Sequence, residues 1–207
     1  MAIAARRVRN RPDGNKRREH ILDEAQRIIG ERGYHGFGLQ ELAERCGMTR
    51  PGLLHHFGTK DGLLIEVLRR AEASHEDAVI KLLGYRHDPS APPDEQRERF
   101  FATLRIIVER NVAQPELVRL QVILQAEAIN QTHPAHHYFQ AREAAKLELM
   151  TAYVAPFAAH PGSAARQIVA LMNGLEAQWL REEMRFDLPT EFDRAMAMVA
   201  CRDPDRH

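Results

Sequence analysis

Apolar residues recur along this chain at three- and four-residue intervals from Glu19 to Ala200, the spacing that gathers them on one face of an α-helix, while the alternation expected of strands is nearly absent. The pattern predicts an all-α fold. Ile21, Leu22, Ala25, Ile28 and Ile29 carry a first helix over about Asn15–Arg32, which Gly33 ends, and Gly36 and Gly38 loosen the link into the next one. Leu63, Leu64, Val67, Leu68 and Ala71 carry a fourth helix, opened by Thr59 as N-cap and running as far as Gly84. The run DPSAPP over 88–93 breaks helix and marks a loop. Beyond it, Glu95–Val112 buries Phe100, Phe101, Leu104, Ile107 and Val108, and Pro115–Ile129 buries Leu117, Leu120, Ile123 and Leu124. Ala135–Ala158 begins after His133-Pro134, Ser163–Arg185 after His160-Pro161-Gly162, and Thr190–Cys201 after the turn 186–189. With a pair of short helices between Gly38 and Phe57, the expected count is nine.

That short pair has the pattern of a helix-turn-helix. With Leu39 as its first position, apolar residues fall at the fourth (Leu42), eighth (Cys46), tenth (Met48) and fifteenth (Leu53). Ala43 is small where two helices cross, and Gly47 supplies the left-handed residue that the turn needs. Thr49 follows as an N-cap and Pro51 sits in the first turn, where its missing N–H costs nothing. The second helix is expected over Arg50–Phe57. Leu53 and Phe57 take its packed face, while Arg50, Gly52 and His56 lie off it and are free to meet a groove.

The segment Gly47-Met48-Thr49-Arg50-Pro51-Gly52-Leu53-Leu54-His55-His56-Phe57-Gly58-Thr59-Lys60 resembles the DNA-binding domain of the TetR family of transcriptional regulators. Two positions depart from the family pattern: Leu54 stands where tyrosine is usual, removing one phosphate contact, and Gly38 stands where a Ser or Thr caps the first helix of the pair. The resemblance implies a nine-helix, two-domain architecture. A basic arm (1–14) would precede a three-helix DNA-binding domain (15–60) and a helical ligand-binding and dimerisation domain (61–207). It implies that Lys60 touches phosphate and that Gln40, Thr49, Arg50, Pro51, Gly52, Leu54, His55 and His56 line the interface with a palindromic double-stranded operator. The segment 171–180 is also similar to the penultimate helix of many members. There it pairs with the last helix in a two-fold interface, so the resemblance implies a homodimer through helices 163–185 and 190–201. The sequence adds that apolar residues cover more than one face of this helix and that Gly174 allows another helix to approach closely. The implied function is a repressor released from DNA by a small-molecule effector.

Charge distribution fits that organisation better than net charge does. The formal net charge is +0, but residues 1–60 hold 12 Lys and Arg against 7 Asp and Glu, a net of +5, and residues 61–207 hold 17 against 22, a net of −5. A basic head on an acidic body is what a DNA binder with a separate domain requires, because only the head must meet phosphate. Residues 1–18 contain seven basic residues, Arg9 and Arg11 among them, and one acid, Asp13. On sequence alone they are either an arm that lies along the backbone and enters the minor groove or a solubilising tail. The two cysteines, Cys46 and Cys201, lie far apart and fit a reducing compartment. No stretch approaches 18 consecutive apolar residues and no secretory signal pattern opens the chain, so a cytoplasmic location without membrane contact is expected.

No catalytic constellation emerges. His133, His136 and His137 stand at spacings compatible with one helical turn, with His160 nearby in sequence, but no cysteine or paired carboxylate joins them at ligand spacing. Cys46 occupies an apolar position and reads as packing. Walker, dinucleotide-binding and nucleophile-elbow patterns are lacking, so no cofactor is expected. Phe101, Gln121, Gln125, Asn173, Gln178 and Trp179, polar or aromatic residues on otherwise apolar helices, are the candidates for an effector pocket. A helical metal-binding protein or enzyme with an incidental basic arm is the competing reading.

Overall fold

The computed structural model describes the backbone of residues 11–86 and 88–200 and the side chains of 14–73 and 88–198. Arg9, Cys201 and the side chain of Arg11, with nearly all of the expected arm, lie outside the described residues. Among those described, nine helices and no strand are present: α1 (Arg11–Gly36), α2 (Leu39–Arg45), α3 (Arg50–Phe57), α4 (Lys60–Arg86), α5 (Pro93–Val112), α6 (Pro115–Glu127), α7 (His136–Val154), α8 (Pro161–Arg181) and α9 (Leu188–Ala200).

The ends differ from the sequence expectation for local reasons. Gly33, at φ 71° and ψ −179°, interrupts α1 at the expected position, although one turn of helix resumes beyond it. α5, α6 and α8 each open on a proline, whose fixed φ suits the first turn; for α5 and α8 this places the start two residues earlier than expected. α7 stops at Val154 rather than Ala158, because Pro156 has no N–H with which to extend the ladder. α8 stops at Arg181 rather than Arg185. Glu183 and Met184 there adopt left-handed φ of 54° and 62° without a glycine, and the Met184 N–H closes the end by donating to the Trp179 carbonyl at 2.7 Å.

Two apolar clusters hold the helices together. The first joins Ile21, Leu22, Ile28 and Ile29 of α1 with Leu42, Leu53, Phe57 and Leu63–Leu64 of the next three helices. It also takes in Leu120 and Leu124 from α6, so α1 packs along α6 as well as against α2 and α4. The second cluster joins Phe100, Leu104 and Ile107 of α5 with Met150, Ile168, Val169, Trp179, Leu188 and Phe192 of α7, α8 and α9. α6 thereby touches α1 at one side and α8 at the other. No described helix is long and apolar enough to cross a membrane.

Candidate DNA interface and effector cavity

The helix-turn-helix is built by short-range rules. α2 is bounded by Gly38, which offers no side-chain cap, and it ends in a turn where the Met48 N–H donates to Ala43 O (2.9 Å) and Gly47 takes φ 62°. Thr49 caps α3, its Oγ1 accepting from the Gly52 N–H at 3.3 Å, with Pro51 in the first turn. Leu53 and Phe57 are buried, Leu54 half-buried, and Arg50, Pro51, His55 and His56 exposed. Packing therefore uses one side of α3 and leaves the other as a polar, cationic ridge. Leu54 packs against the apolar cluster.

Ion pairs link the helices around this ridge to one another. Arg45 bonds Glu41 (2.6 Å) and reaches Glu24 of α1 (3.8 Å), Arg32 bonds Glu41 (3.0 Å), and Arg18 pairs with Glu66 of α4 at 2.6 Å while lying 5.2 Å above the Phe57 ring. Arg50, in contrast, has no salt-bridge partner among the described residues, so its guanidinium is available to an incoming anion. Gln40 is exposed on α2, its amide donating to Glu44 at 2.8 Å. Lys60 is half-buried, its ammonium 4.3 Å from the Tyr34 ring centroid and 5.3 Å from that of Phe37, and burial pushes its pKa down. It opens α4 next to the ridge, held by aromatic faces.

Tyr34 also connects this unit to α6. Its N–H donates to Glu127 Oε2 at 2.8 Å, its hydroxyl to Asp61, and its ring meets that of His133 edge to face at 5.1 Å. Burial, then the Asp61 carboxylate, pushes the Tyr34 phenol up to about 12. His133 is buried. Its Nδ1 accepts from the Ala135 N–H at 3.2 Å, and its Nε2 lies 3.6 Å from Glu127 without a hydrogen bond. His136 is engaged elsewhere, with Nδ1 against Ala128 O at 2.8 Å, so two of the three histidines noted in the sequence have separate structural partners. Among the described residues no three His, Cys, Asp or Glu side chains are grouped to hold a metal.

A cavity of about 170 Å³ opens between α4, α5, α6, α7 and α8. Gln121 and Asn173 line it. Gln125 lines a neighbouring cleft that shares Arg142 and Asn173 with it. Phe101, Gln178 and Trp179 do not line either: Trp179 is buried in the second apolar cluster, Phe101 packs on that cluster, and Gln178 is exposed on the outer face of α8. The residues that sequence reading missed are charged: Glu72, Arg142, Lys146 and Glu176. Their signal was present, since Arg142 and Lys146 precede buried Met150 at four-residue spacing and Glu176 falls between Met172 and Trp179 on an apolar face.

Residues 21–67 match the family model described as bacterial regulatory proteins, tetR family. Over 132 residues the chain is 30% identical to the transcriptional activator FasR of Mycolicibacterium smegmatis, covering 58% of each chain. Over 78 residues it is 33% identical to the transcriptional repressor AcnR of Corynebacterium glutamicum, covering 35% of this chain and 42% of that one. It thus spans less than two thirds of the length of these relatives. The fold is similar to that of NalD, the secondary repressor of the MexAB-OprM multidrug efflux pump in Pseudomonas aeruginosa, with a TM-score of 0.69 at 22% identity over 90% of this chain and 95% of that one. The matched segment 21–67 and the partial likeness to FasR and AcnR come together in one conclusion: the helix-turn-helix segment is of the kind found in bacterial regulatory proteins of the tetR family, and it stands on a nine-helix fold similar to that of NalD.

Proposed function

We propose that the protein is a homodimeric transcriptional regulator, a repressor that leaves a palindromic operator when a small molecule enters its helical body. The observation that carries this reading is the polar ridge of α3, where unpaired Arg50 stands beside exposed His55 and His56 on a helix fixed by Leu53, Phe57 and the Thr49 cap. Residues 15–60 form the DNA-binding head in this reading, residues 61–207 the body, and the arm 1–14 with Arg9 and Arg11 adds minor-groove or backbone contact. Gln40, Thr49, Pro51, Gly52, Leu54 and Lys60 complete the DNA surface, mostly through phosphate.

The open faces of α8 and α9 pair two subunits. Gly174 and Gln178 are exposed on α8, a Cβ at Gly174 would meet nothing within 4 Å, and Met198 on α9 is 74% exposed. Pairing sets the two recognition helices about 34 Å apart, one turn of the duplex. The effector acts by favouring another spacing, and α6 supplies the connection, since Gln121 lines the cavity while Glu127 holds Tyr34 of the head. Selection from a pool of random duplexes, followed by sequencing, tests the reading. Recovery of a two-fold symmetric site with salt-dependent affinity is expected, and no duplex affinity even at low salt would overturn it in favour of a metal-binding or enzymatic role.

A further inference from the structure

One charged group in the cavity wall lacks an ion-pair partner among the described residues. Arg142 is bonded to Glu72 of α4 at 2.7 Å and reaches Gln121 of α6 at 3.5 Å; Lys146 pairs with Glu143, one turn back on α7, at 3.3 Å. Both cations are therefore engaged. Glu176 of α8 accepts from the Asn111 amide of α5 at 2.6 Å and has no salt-bridge partner among the described residues. Facing this polar wall are Ile107, Leu149, Met150, Val169 and Met172. Glu143 stands outside the lining, so the cavity wall itself carries two carboxylates, Glu72 and Glu176, and two cations, and of these four Glu176 is the one without a salt bridge among the described residues.

We propose that the cavity is an effector site for a small amphipathic amine, its ammonium paired with Glu176 and its apolar part laid against Ile107, Leu149 and Met172. The assignment rests on the reading of the body as an effector domain. An organic acid would place a second negative charge beside Glu176, or would have to displace Glu72 or Glu143 from its cation, leaving a partly buried carboxylate unpaired. An ammonium supplies the missing charge and breaks no pair. Size is consistent with one ring bearing a short aminoalkyl group, because an apolar cavity of about 150 Å³ accommodates benzene.

The cavity's own electrostatics run in a direction that an amine would reverse. Burial pushes the Glu176 carboxyl up, opposed by the Asn111 hydrogen bond, Lys146 and Arg142, and burial pushes the Lys146 ammonium down. Both shifts favour the uncharged forms. An incoming ammonium favours the Glu176 carboxylate, so binding releases a proton wherever that carboxyl was protonated, and affinity rises with pH across that range.

The test is calorimetric titration of the full chain with benzylamine, benzoate and benzyl alcohol, repeated in two buffers of different ionisation enthalpy. Benzylamine is expected to bind about tenfold or more tightly than benzoate and to release protons, and Glu176→Gln, which keeps the acceptor for Asn111, to weaken benzylamine by about tenfold while sparing benzyl alcohol. Equal or tighter binding of benzoate, undiminished benzylamine binding by a folded Glu176→Gln variant, or no binding of benzylamine overturns the assignment. The wild-type comparison of amine with acid needs no variant. A duplex-binding assay on the same preparation separates the two readings: a protein that holds duplex but ignores benzylamine refutes only the amine, and one that takes benzylamine but holds no duplex refutes only the regulator.

Discussion

The backbone N–H of Tyr34 donates to Oε2 of Glu127, 2.8 Å away and 93 residues further along the chain, and so ties the last turn of α1 to the last turn of α6. The bond is reachable only because Gly33 precedes Tyr34. At φ 71° and ψ −179° the chain turns in a region essentially restricted to glycine, and the absent Cβ leaves room for the Glu127 carboxylate, whose Oε1 would otherwise lie 2.2 Å from it. α1 and α6 are thereby joined by one side chain bonded to a backbone N–H whose direction the local conformation fixes.

Gly33→Ala is expected to destabilise the protein by roughly 1–3 kcal/mol, combining backbone strain with displacement of Glu127. Glu127→Ala alone should cost about 1 kcal/mol or somewhat more, since it leaves the Tyr34 N–H without its acceptor. Denaturant unfolding of both single variants and the double variant checks the coupling. The double variant should be less destabilised than the two singles added, because removing Glu127 relieves the steric part of the alanine's cost. Strict additivity would show that the two residues act independently.

His133 gives this junction a pH dependence whose sign is fixed by burial. Burial lowers its pKa, the nearby Glu127 and Asp61 carboxylates oppose that shift, and His35 adds to it. Below the ordinary histidine value of about 6.5 the unfolded chain binds a proton that the folded chain resists, so the stability His133 contributes is present above that value and is lost as pH falls through it. Thermal melts from about pH 7.5 down to about pH 5.5 should show a smaller loss for His133→Asn, whose side-chain oxygen can still accept from Ala135, than for the unmodified protein. Parallel profiles would remove His133 as the titrating group.

What was legible in the sequence follows the range of the interactions involved. The helix-turn-helix was read residue by residue because its determinants, the Thr49 cap, the Gly47 turn and the Leu53–Phe57 stripe, act within a few positions of one another. The body helices were legible as apolar periodicity, but their ends were not: α8 stops through a left-handed Glu183-Met184 pair that no glycine announces. The cavity was legible least. Phe101 and Trp179 look like ligand-facing aromatics, yet Trp179 is buried in the second apolar cluster and Phe101 packs on it, whereas Arg142, Lys146 and Glu176 look like surface charges and line the cavity. Which face of an amphipathic helix meets a void depends on packing between α4, α5, α6, α7 and α8, and periodicity within one helix carries no information about that.

Arg50→Ala should weaken binding to the selected operator by about 1–3 kcal/mol and relax preference at one base position, because Arg50 stands exposed in the first turn of α3 with no salt-bridge partner among the described residues. Competition between operator and random duplex distinguishes the two roles open to it. Weakening confined to the operator marks a base contact; equal weakening on both marks a phosphate contact.

Gly174→Trp is expected to separate the dimer and, through it, abolish tight operator binding, although Gly174 lies on α8, far along the chain from α3. Within the subunit the substitution should be tolerated, since Gly174 is exposed and a Cβ there meets nothing within 4 Å, with α8 otherwise anchored by Ala165, Ile168, Val169 and Trp179. An indole placed where a second copy of α8 must approach closely costs about 1–3 kcal/mol or more by overpacking, and a symmetric interface carries the substitution twice. A single head contacts one half-site, and its modest affinity becomes useful only when the partner holds the second head one helical turn away. Sedimentation, circular dichroism and duplex binding on the same sample decide the matter: a folded monomer with weakened binding is expected, while a folded dimer with unchanged affinity would move the interface away from α8.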